Sequence, residues 1–280
     1  MRMNCPVCEG EMNRHAEVTV LGRHHTMLAH CRNCGFLAMP EPHWLDEAYS
    51  SAIASTDTGI MLRNLNTAEQ LAVFLYLAFG ERGRGRYLDV AGGYGILVRL
   101  MRDLGFNFFW ADKYAENLVA RGFEWSAEDD EPCVAVTAME VLEHVPDPLA
   151  FLSAAMTQGK TDTVIFSTSI YGALPPAPAS WPYYSLETGQ HIAFFQQRTL
   201  KHVARRLGGR YLGIGDLHVI SRRTGSIAAF SALLARLSFS RARHLLLPFV
   251  RRRLSGRVLI DHQDMIHRLQ QKTHRGPGPS

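Results

Sequence analysis

Tyr87-Leu-Asp-Val-Ala-Gly-Gly-Tyr-Gly95 is the stretch of this 280-residue chain from which the rest of the fold can be worked out. Its first four residues predict a short buried strand, and the glycines after them predict a tight turn. From Ile96 to Leu104 apolar residues recur at helical spacing, so a helix follows the turn. Strand, turn and helix together predict a nucleotide-binding corner. Gly93 and Gly95 let the backbone there approach a ligand that a Cβ atom would keep away.

The charge beside this turn indicates which nucleotide it binds. A dinucleotide-binding fingerprint needs a third glycine after the first pair, but Val98 occupies that position. Asp89 ends the strand, and its carboxylate would repel a pyrophosphate group. The pattern therefore favours a cationic nucleoside such as S-adenosylmethionine, which carries an ammonium and a sulfonium group.

Three segments resemble motifs of the class I S-adenosylmethionine-dependent methyltransferases. Asp89-Val-Ala-Gly-Gly-Tyr-Gly95 is similar to their motif I, Asp/Glu-x-Gly-x-Gly-x-Gly, with Ala91 in place of the first glycine. Phe108-Phe-Trp-Ala-Asp112 resembles the second strand with its ribose-binding acid, and Glu140-Val-Leu-Glu-His-Val-Pro-Asp-Pro148 resembles the segment after strand four. The resemblance covers about residues 86–200. It implies that S-adenosylmethionine is bound by Asp89, Ala91, Gly92, Gly93, Gly95, Asp112, Lys113 and Glu140.

Strand and helix patterns alternate through the middle of the chain, although the third strand, Phe123–Trp125, is weak. Such alternation predicts an α/β fold with a doubly wound, Rossmann-like, mostly parallel sheet of seven strands. Ligands then bind at the carboxyl ends of the strands. We expect four regions: a zinc-ribbon-like module (1–40), a linker and helical cap (41–85), the methyltransferase domain (86–222) and a basic amphipathic helical tail (223–280).

Four of the five cysteines, Cys5, Cys8, Cys31 and Cys34, lie near the amino terminus in two Cys-x2-Cys pairs. This spacing is typical of two knuckles that hold a tetrahedral zinc ion. Because all four ligands would be thiolates, the metal would be structural rather than catalytic. Residues between the pairs predict a hairpin around Gly22. Two disulfides or a chance arrangement are the alternatives, and a cytosolic chain disfavours disulfides.

Two histidines are candidates for a catalytic base. A methyl acceptor that must lose a proton needs such a group, and an imidazole titrates near neutral pH. His144, beside the cofactor-binding segment, is the first candidate. His191, in Gly189-Gln-His-Ile, is the second.

The same segment predicts a second, divalent-cation site. If the chain is helical from Glu140, then Glu140, Glu143 and His144 share one face, and His191 would complete the site. The Glu-x2-Glu-His pattern with a later histidine resembles the metal site of small-RNA 2′-O-methyltransferases, and ubiquinone-pathway O-methyltransferases show a similar pattern. A bound Mg²⁺ would orient an acceptor hydroxyl and lower its pKa. Alternatively, the segment only caps and packs a helix.

Charge is distributed unevenly along the chain. The net charge is +4, but residues 201–280 hold 16 Lys/Arg against 3 Asp/Glu, whereas residues 1–200 hold 14 against 23. Basic and apolar residues are interleaved in the tail, so we expect it either to bind an anionic membrane surface, or to dock on the domain or form a dimer contact. Nucleic acid is the weaker candidate partner. With neither a secretory signal nor a membrane-spanning apolar run visible, we expect a cytoplasmic protein that associates peripherally with membranes.

These patterns predict an S-adenosylmethionine-dependent methyltransferase acting on an oxygen of a small-molecule acceptor, such as a saccharide or a lipid-linked intermediate. A stiff aromatic loop, Tyr171–Tyr184, follows strand five, where acceptors sit in the family that the chain resembles. An RNA methyltransferase is the first alternative, supported by the cysteine module and the basic tail. The second alternative is a non-catalytic module that keeps the fold and binds cofactor or partner without turnover.

Overall fold

The computed structural model describes residues 3–49, 57–80, 84–126, 128, 130–223 and 239–274. The strands in this part of the chain are β1 Met3–Asn4, β2 Glu11–Val20, β3 His24–Cys31, β4 Leu37–Ala38, β5 Arg86–Val90, β6 Asn107–Ala111, β7 Cys133–Ala138, β8 Thr163–Ser167, β9 Ala193–Phe194, β10 Arg210–Ile214 and β11 Leu217–Ser221. The α-helices are α1 Leu45–Ala48, α2 Ile60–Phe79, α3 Ile96–Asp103, α4 Pro148–Gln158, α5 Gln197–Arg206, α6 Phe239–Arg253 and α7 Val258–His274.

The central sheet has the strand order β10-β11-β8-β7-β5-β6. Strands β8, β7, β5 and β6 are parallel, β11 pairs antiparallel with β8, and β10 pairs antiparallel with β11 and so runs in the same direction as β8. This arrangement confirms the α/β class with a mainly parallel sheet. The count of seven strands is not confirmed, because the described residues form six. Where the third was expected, a single parallel bridge joins Trp110 to Glu124. The segment beyond it, 126–132, reads Ser-Ala-Glu-Asp-Asp-Glu-Pro, and acids followed by proline disfavour an extended edge strand.

Both faces of the central sheet are covered, since β5 and β8 are buried along their whole length. Successive side chains of a strand point to opposite faces. Tyr87 accordingly packs with the cluster that contains α2 and α3, whereas Leu88 and Val90 pack with the cluster that contains α4 and α5. This burial holds β5 and β7 side by side, so that the loops after their carboxyl ends open on the same edge of the sheet.

The amino-terminal sheet is antiparallel, with the order β1-β2-β3-β4-β9. The expected hairpin is confirmed: β2 pairs with β3 across a turn in which Leu21 and Gly22 both have positive φ, 54° and 70°. Strand β4 then pairs with β9, which lies after β8 in the chain. Residues of the cysteine-containing segment and of the segment near His191 therefore belong to one sheet.

The described helices α6 and α7 of the basic carboxy-terminal region pack on the helices of the central sheet. Leu247 and Val250 of α6 are buried in the cluster that contains α2. In α7, the buried Asp261 accepts hydrogen bonds of 2.7 Å on each carboxylate oxygen from Arg102 and one of 2.9 Å from Arg99. The apolar stretch 227–237 lies outside the described residues. Among the helices that are described, none has the length and apolar character needed to cross a membrane.

Candidate active site

The glycine-rich loop after β5 turns through left-handed backbone. Ala91, Gly93 and Gly95 have φ values of 56°, 53° and 84°, and Gly95 is the residue before α3. A residue with a Cβ is disfavoured in this region by roughly 1–2 kcal/mol, so Ala91 is strained where motif I usually has glycine. Gly92 is constrained differently: an added Cβ would lie 2.9 Å from Cδ1 of Trp110 and 3.0 Å from Oδ2 of Asp89.

Asp89 is a buried acid beneath this loop. Its Oδ1 accepts a 2.6 Å hydrogen bond from the hydroxyl of Thr137 in β7. Burial raises the pKa of Asp89 to about 7, and the negative charge of Asp112 adds to the rise, although the Thr137 hydrogen bond opposes it. Because this carboxyl group lacks a cationic partner among the described residues, a cation arriving at the loop would favour its ionised form.

Asp112 lies at the end of β6 and braces the loop. Its Oδ2 accepts a hydrogen bond from the Gly93 amide at 2.9 Å, and its Oδ1 accepts two from the amides of Tyr114 and Ala115 at 2.7 and 2.8 Å. A carboxylate offers about four acceptor positions, so about one remains for a ligand hydroxyl. Lys113 is exposed, with its Nζ 5.2 Å from the ring centre of Tyr114.

Glu140 follows β7 but does not begin a helix, so the expected helical face is wrong. Its φ is 55°, its amide donates to Oγ of Ser167 at 2.8 Å, and that hydroxyl donates back to Oε1 of Glu140 at 2.5 Å. Only one turn of 3₁₀-helix follows, Leu142–His144. These contacts hold Glu140 at the end of β8, so it is not among the metal-binding donor groups that converge nearby.

Glu143, His144 and His191 do converge: one potential ligand atom of each lies within 4.8 Å of the others. The two imidazole rings are 4.9 Å apart between centres and inclined at 79°. Nδ1 of His144 lies 3.1 Å from the carbonyl oxygen of Gln190, and Nδ1 of His191 lies 2.7 Å from that of Tyr183. Carbonyl oxygens only accept hydrogen bonds. We therefore assign the proton of His191 to Nδ1, which leaves its Nε2 lone pair free. Nδ1 of His144 also lies 2.8 Å from the hydroxyl of Tyr49, which can donate to it, so these contacts assign no tautomer to His144.

Glu143 is fully buried, and no described group is in hydrogen-bonding geometry with either of its carboxylate oxygens. Burial raises its pKa, while His191 and the nearby hydroxyls of Tyr183 and Thr168 moderate the rise. Burial also lowers the pKa of His144 to about 4, so His144 is neutral at neutral pH. Burying a carboxyl group without hydrogen bonds costs free energy of folding. In this cluster a bound proton, a cation or a hydrogen-bond donor of a substrate would offset that cost.

The family assignment follows from residues 56–212, more than half of the chain, which match the family model described as a methyltransferase domain. This chain belongs to the methyltransferase-domain family. No curated protein matches the sequence of this methyltransferase.

Several solved structures are similar to this methyltransferase. TnmH shares 19% identity over 64% of this chain and 60% of its own, less than two thirds of its length, with a TM-score of 0.44. An O-methyltransferase family protein from Burkholderia thailandensis shares 15% over 65% and 68%, with a TM-score of 0.42. Magnesium protoporphyrin IX methyltransferase (ChlM) from Synechocystis PCC 6803, solved with bound S-adenosylmethionine, shares 12% over 64% and 91%, with a TM-score of 0.37.

Two tyrosines at the methyltransferase site were not predicted as site residues. The hydroxyl of Tyr49 lies 2.8 Å from Nδ1 of His144, and its ring stacks on that of Tyr114 at 6.5 Å and 15°. Tyr49 thus links the histidine pair to the residues beside Asp112. No local pattern marks it, because it comes from the segment before α2. Tyr183 packs its ring 4.7 Å from that of His191, and the aromatic loop 171–184 was the signal that could have identified it.

The four amino-terminal cysteines of the methyltransferase meet in one cluster. Sγ of Cys5 lies 3.5 Å from that of Cys34, Sγ of Cys8 lies 3.4 Å from that of Cys31, and none of the four forms a disulfide. Zn–S bonds of about 2.3 Å in a tetrahedron place sulfur atoms about 3.8 Å apart, so the cluster fits a zinc ion. The hydrogen bond between Cys5 and Cys34 lowers the pKa of Cys5 and raises that of Cys34, whereas a zinc ion would require both as thiolates.

Proposed function

We propose that this protein transfers a methyl group from S-adenosylmethionine to an oxygen of a small molecule, such as a saccharide or a lipid-linked intermediate. The observation that carries the proposal is the pairing of two features: the glycine-rich loop over Asp89 and the cluster of Glu143, His144 and His191. The loop follows β5, and Glu143 and His144 follow its hydrogen-bonded neighbour β7, whereas His191 comes from the segment before β9. Tyr49 contacts both His144 and Tyr114, which lies beside Asp112.

In this proposal the loop residues Ala91, Gly92, Gly93 and Gly95 hold the methionine portion of the cofactor, with Asp89 as the counter-charge below them. One free acceptor position on Asp112 binds a ribose hydroxyl, while Lys113 and Glu140 border the same pocket. S-adenosylmethionine supplies an electrophilic methyl group on a sulfonium ion. Methyl transfer to the acceptor oxygen would leave S-adenosylhomocysteine, and a base of the protein would take the proton of the acceptor hydroxyl.

His191 is the better base of the two candidates. It lies beside Glu143, and their mutual attraction would stabilise an imidazolium ion as the proton arrives at Nε2. The low pKa of His144 makes it a poor proton acceptor, so we assign it a positioning role through Tyr49 and Gln190. General base catalysis of this kind typically contributes about 10²–10⁴-fold in rate.

A metal ion is the second candidate for the same cluster, because the buried carboxylate of Glu143 and the imidazoles of His144 and His191 form a three-donor set. Mg²⁺ prefers oxygen ligands, whereas imidazole suits zinc, iron or nickel. With Glu140 hydrogen-bonded to Ser167 instead, this donor set favours a transition metal over the Mg²⁺ expected from the sequence. A zinc ion held by Cys5, Cys8, Cys31 and Cys34 is a separate, structural proposal.

Calorimetry tests the proposed cofactor. S-adenosylhomocysteine should bind the purified protein, whereas NAD and ATP should not. Uptake of NAD or ATP without S-adenosylhomocysteine would refute it. A panel of saccharides, lipid-linked sugars and RNA with methyl-labelled S-adenosylmethionine then separates the acceptor classes. Labelled RNA would favour the RNA methyltransferase, and cofactor binding without any product would favour a non-catalytic module.

Metal analysis separates the two roles of the cluster. One zinc per chain, lost in Cys34→Ser but kept in Glu143→Gln, is expected if only the cysteines bind metal. A second equivalent that disappears in Glu143→Gln would assign a metal to the Glu143 cluster.

A further inference from the structure

Helix α6 carries two different faces. Leu247 and Val250 are buried against α2. Leu245 is 82% exposed on the other side of the helix, and Phe249 is 47% exposed although its ring also lies 5.9 Å from that of Tyr76 of α2. Residues 245, 249 and 252 are spaced four and three apart, so Arg252 extends the same outer stripe. The helix therefore presents large apolar side chains outward even though its inner face is already docked.

Three consecutive arginines lie at the carboxyl end of this outer stripe. Arg251, Arg252 and Arg253 are all exposed, and the guanidinium of Arg253 lies 5.4 Å from the ring centre of Phe249. Arg251 pairs weakly with Glu69 of α2 at 3.6 Å. Across 239–274 the sequence holds eight Lys/Arg and two Asp/Glu, and one of those acids is the buried Asp261. The sequence of this region is therefore strongly basic, and the described arginines 251–253 are exposed.

The first turn of α7 also carries exposed apolar side chains. Val258 is 54% exposed and Leu259 is 75% exposed, and both follow the arginines after a short connection. Asp261, one turn later, is anchored to Arg102, so this end of α7 is held on the domain. We call Leu245, Phe249, Arg251–Arg253, Val258 and Leu259 together the tail surface.

We propose that the tail surface docks on an anionic phospholipid membrane, lying on it without crossing it. A helix that lies at the lipid–water interface typically combines apolar side chains with bordering arginines. The apolar side chains contact the lipid acyl chains, and the guanidinium groups pair with the lipid phosphates. This inference is independent of the proposed methyl transfer.

The combination of basic and apolar side chains argues against a second copy of the chain or RNA as the partner of the tail surface. In a symmetric dimer the same surface meets its own copy, so three arginines would face three arginines. RNA would satisfy the arginines through its phosphates but would leave Leu245 and Leu259 without apolar contacts. A lipid bilayer that contains acidic headgroups satisfies both parts of the surface.

Co-sedimentation of the full-length protein with vesicles tests the proposal. We expect binding to phosphatidylcholine–phosphatidylglycerol vesicles (about 70:30), weak binding to pure phosphatidylcholine, and release as salt rises. Each arginine near such a surface contributes roughly fivefold in binding, so Arg252→Gln with Arg253→Gln should weaken binding about 25-fold. Leu245→Ser with Phe249→Ser should weaken it by at least tenfold.

Matched controls come from another surface. Leu174, 80% exposed in the loop after β8, is the control for Leu245, and Arg210, exposed at the start of β10, is the control for Arg252. Leu174→Ser and Arg210→Gln should bind as the wild type does, and melting curves check that all variants are folded. Absence of vesicle binding, equal binding to both vesicle types, or equal effects of test and control variants would overturn the proposal. So would a dimer in sedimentation that Leu245→Ser dissociates, or RNA binding that persists when vesicle binding is absent.

Discussion

Replacing Asp261 by alanine should destabilise the protein by about 3–5 kcal/mol, the usual cost of removing one partner of a buried ion pair. Asp261 and Arg102 are 3% and 2% exposed, and two hydrogen bonds of 2.7 Å join them. Arg102 would keep its bonds to Asn107 and Phe108, but its charge would be left without the buried carboxylate. At roughly 2–4 °C per kcal/mol for a chain of about this size, the melting temperature should fall by about 6–20 °C.

Thermal melting and limited proteolysis measure this effect. Because the pair also holds α7 on α3, cleavage within α7 should accelerate in Asp261→Ala. Asp264→Ala, an exposed acid one turn along the same helix, is the matched control and should leave both measurements unchanged. Combining Arg102→Met with Asp261→Leu should cost less than the two single changes together, since the buried charge is then removed as well.

The pH dependence provides a second check. Burial alone would raise the pKa of Asp261, but Arg102 and Arg99 outweigh it and the net shift is downward. A lowered folded-state pKa means that this stabilisation is present above the unfolded value of about 3.9 and is lost as the pH falls through the folded value. Wild type should therefore lose stability below about pH 4 more steeply than Asp261→Asn. A melting temperature within about 2 °C of wild type in Asp261→Ala, with unchanged proteolysis, would refute the reasoning.

Three further predictions concern the candidate active site. The pKa of Asp89 is about 7 in the free protein, and a bound cation favours its ionised form. The affinity for S-adenosylmethionine, measured by calorimetry, should therefore fall up to tenfold per pH unit below about pH 7. Asp89→Asn should abolish this pH dependence, and an unchanged pH profile in the variant would contradict the prediction. Ala91→Gly should leave stability, measured by denaturant melts, unchanged or raise it by about 1 kcal/mol. Gly92→Ala should weaken cofactor binding, measured by calorimetry, because its Cβ would meet two side chains at 3.0 Å or less. Equal behaviour of the two variants in both assays would contradict this prediction. His191→Asn and Glu143→Gln should lower kcat by about 10²–10⁴-fold while S-adenosylhomocysteine binding stays within about threefold of wild type, and full activity in either variant would remove that residue from the proposed chemistry.

The glycine corner could be predicted because its causes are local. A run of buried strand residues, glycines at left-handed positions and helical spacing after them need no information about distant residues. The cysteine cluster was predictable for a similar reason, since the short spacing within each Cys-x2-Cys pair restricts its shape, and only the meeting of the two pairs depends on the hairpin between them.

Glu140 shows where this local reasoning failed. Its spacing to Glu143 and His144 is helical, yet Ser167 at the end of β8 holds it at a φ of 55°. Ser167 is 27 residues away in the chain, so no window around Glu140 contains this competing contact. The third strand was lost in a comparable way, because pairing at the sheet edge stops after Glu124.

By itself the sequence determined which elements form around the glycine loop, the acid that lies beneath that loop and the composition of the cysteine cluster, since each depends on residues within a few turns of one another. Only the tertiary structure decided that Tyr49 contacts His144, that Glu143 is buried without hydrogen bonds and that α7 is clamped through Asp261. The physical reason is that burial and long-range hydrogen bonds depend on which strands become neighbours, and that is set by packing across the whole chain rather than by any one segment.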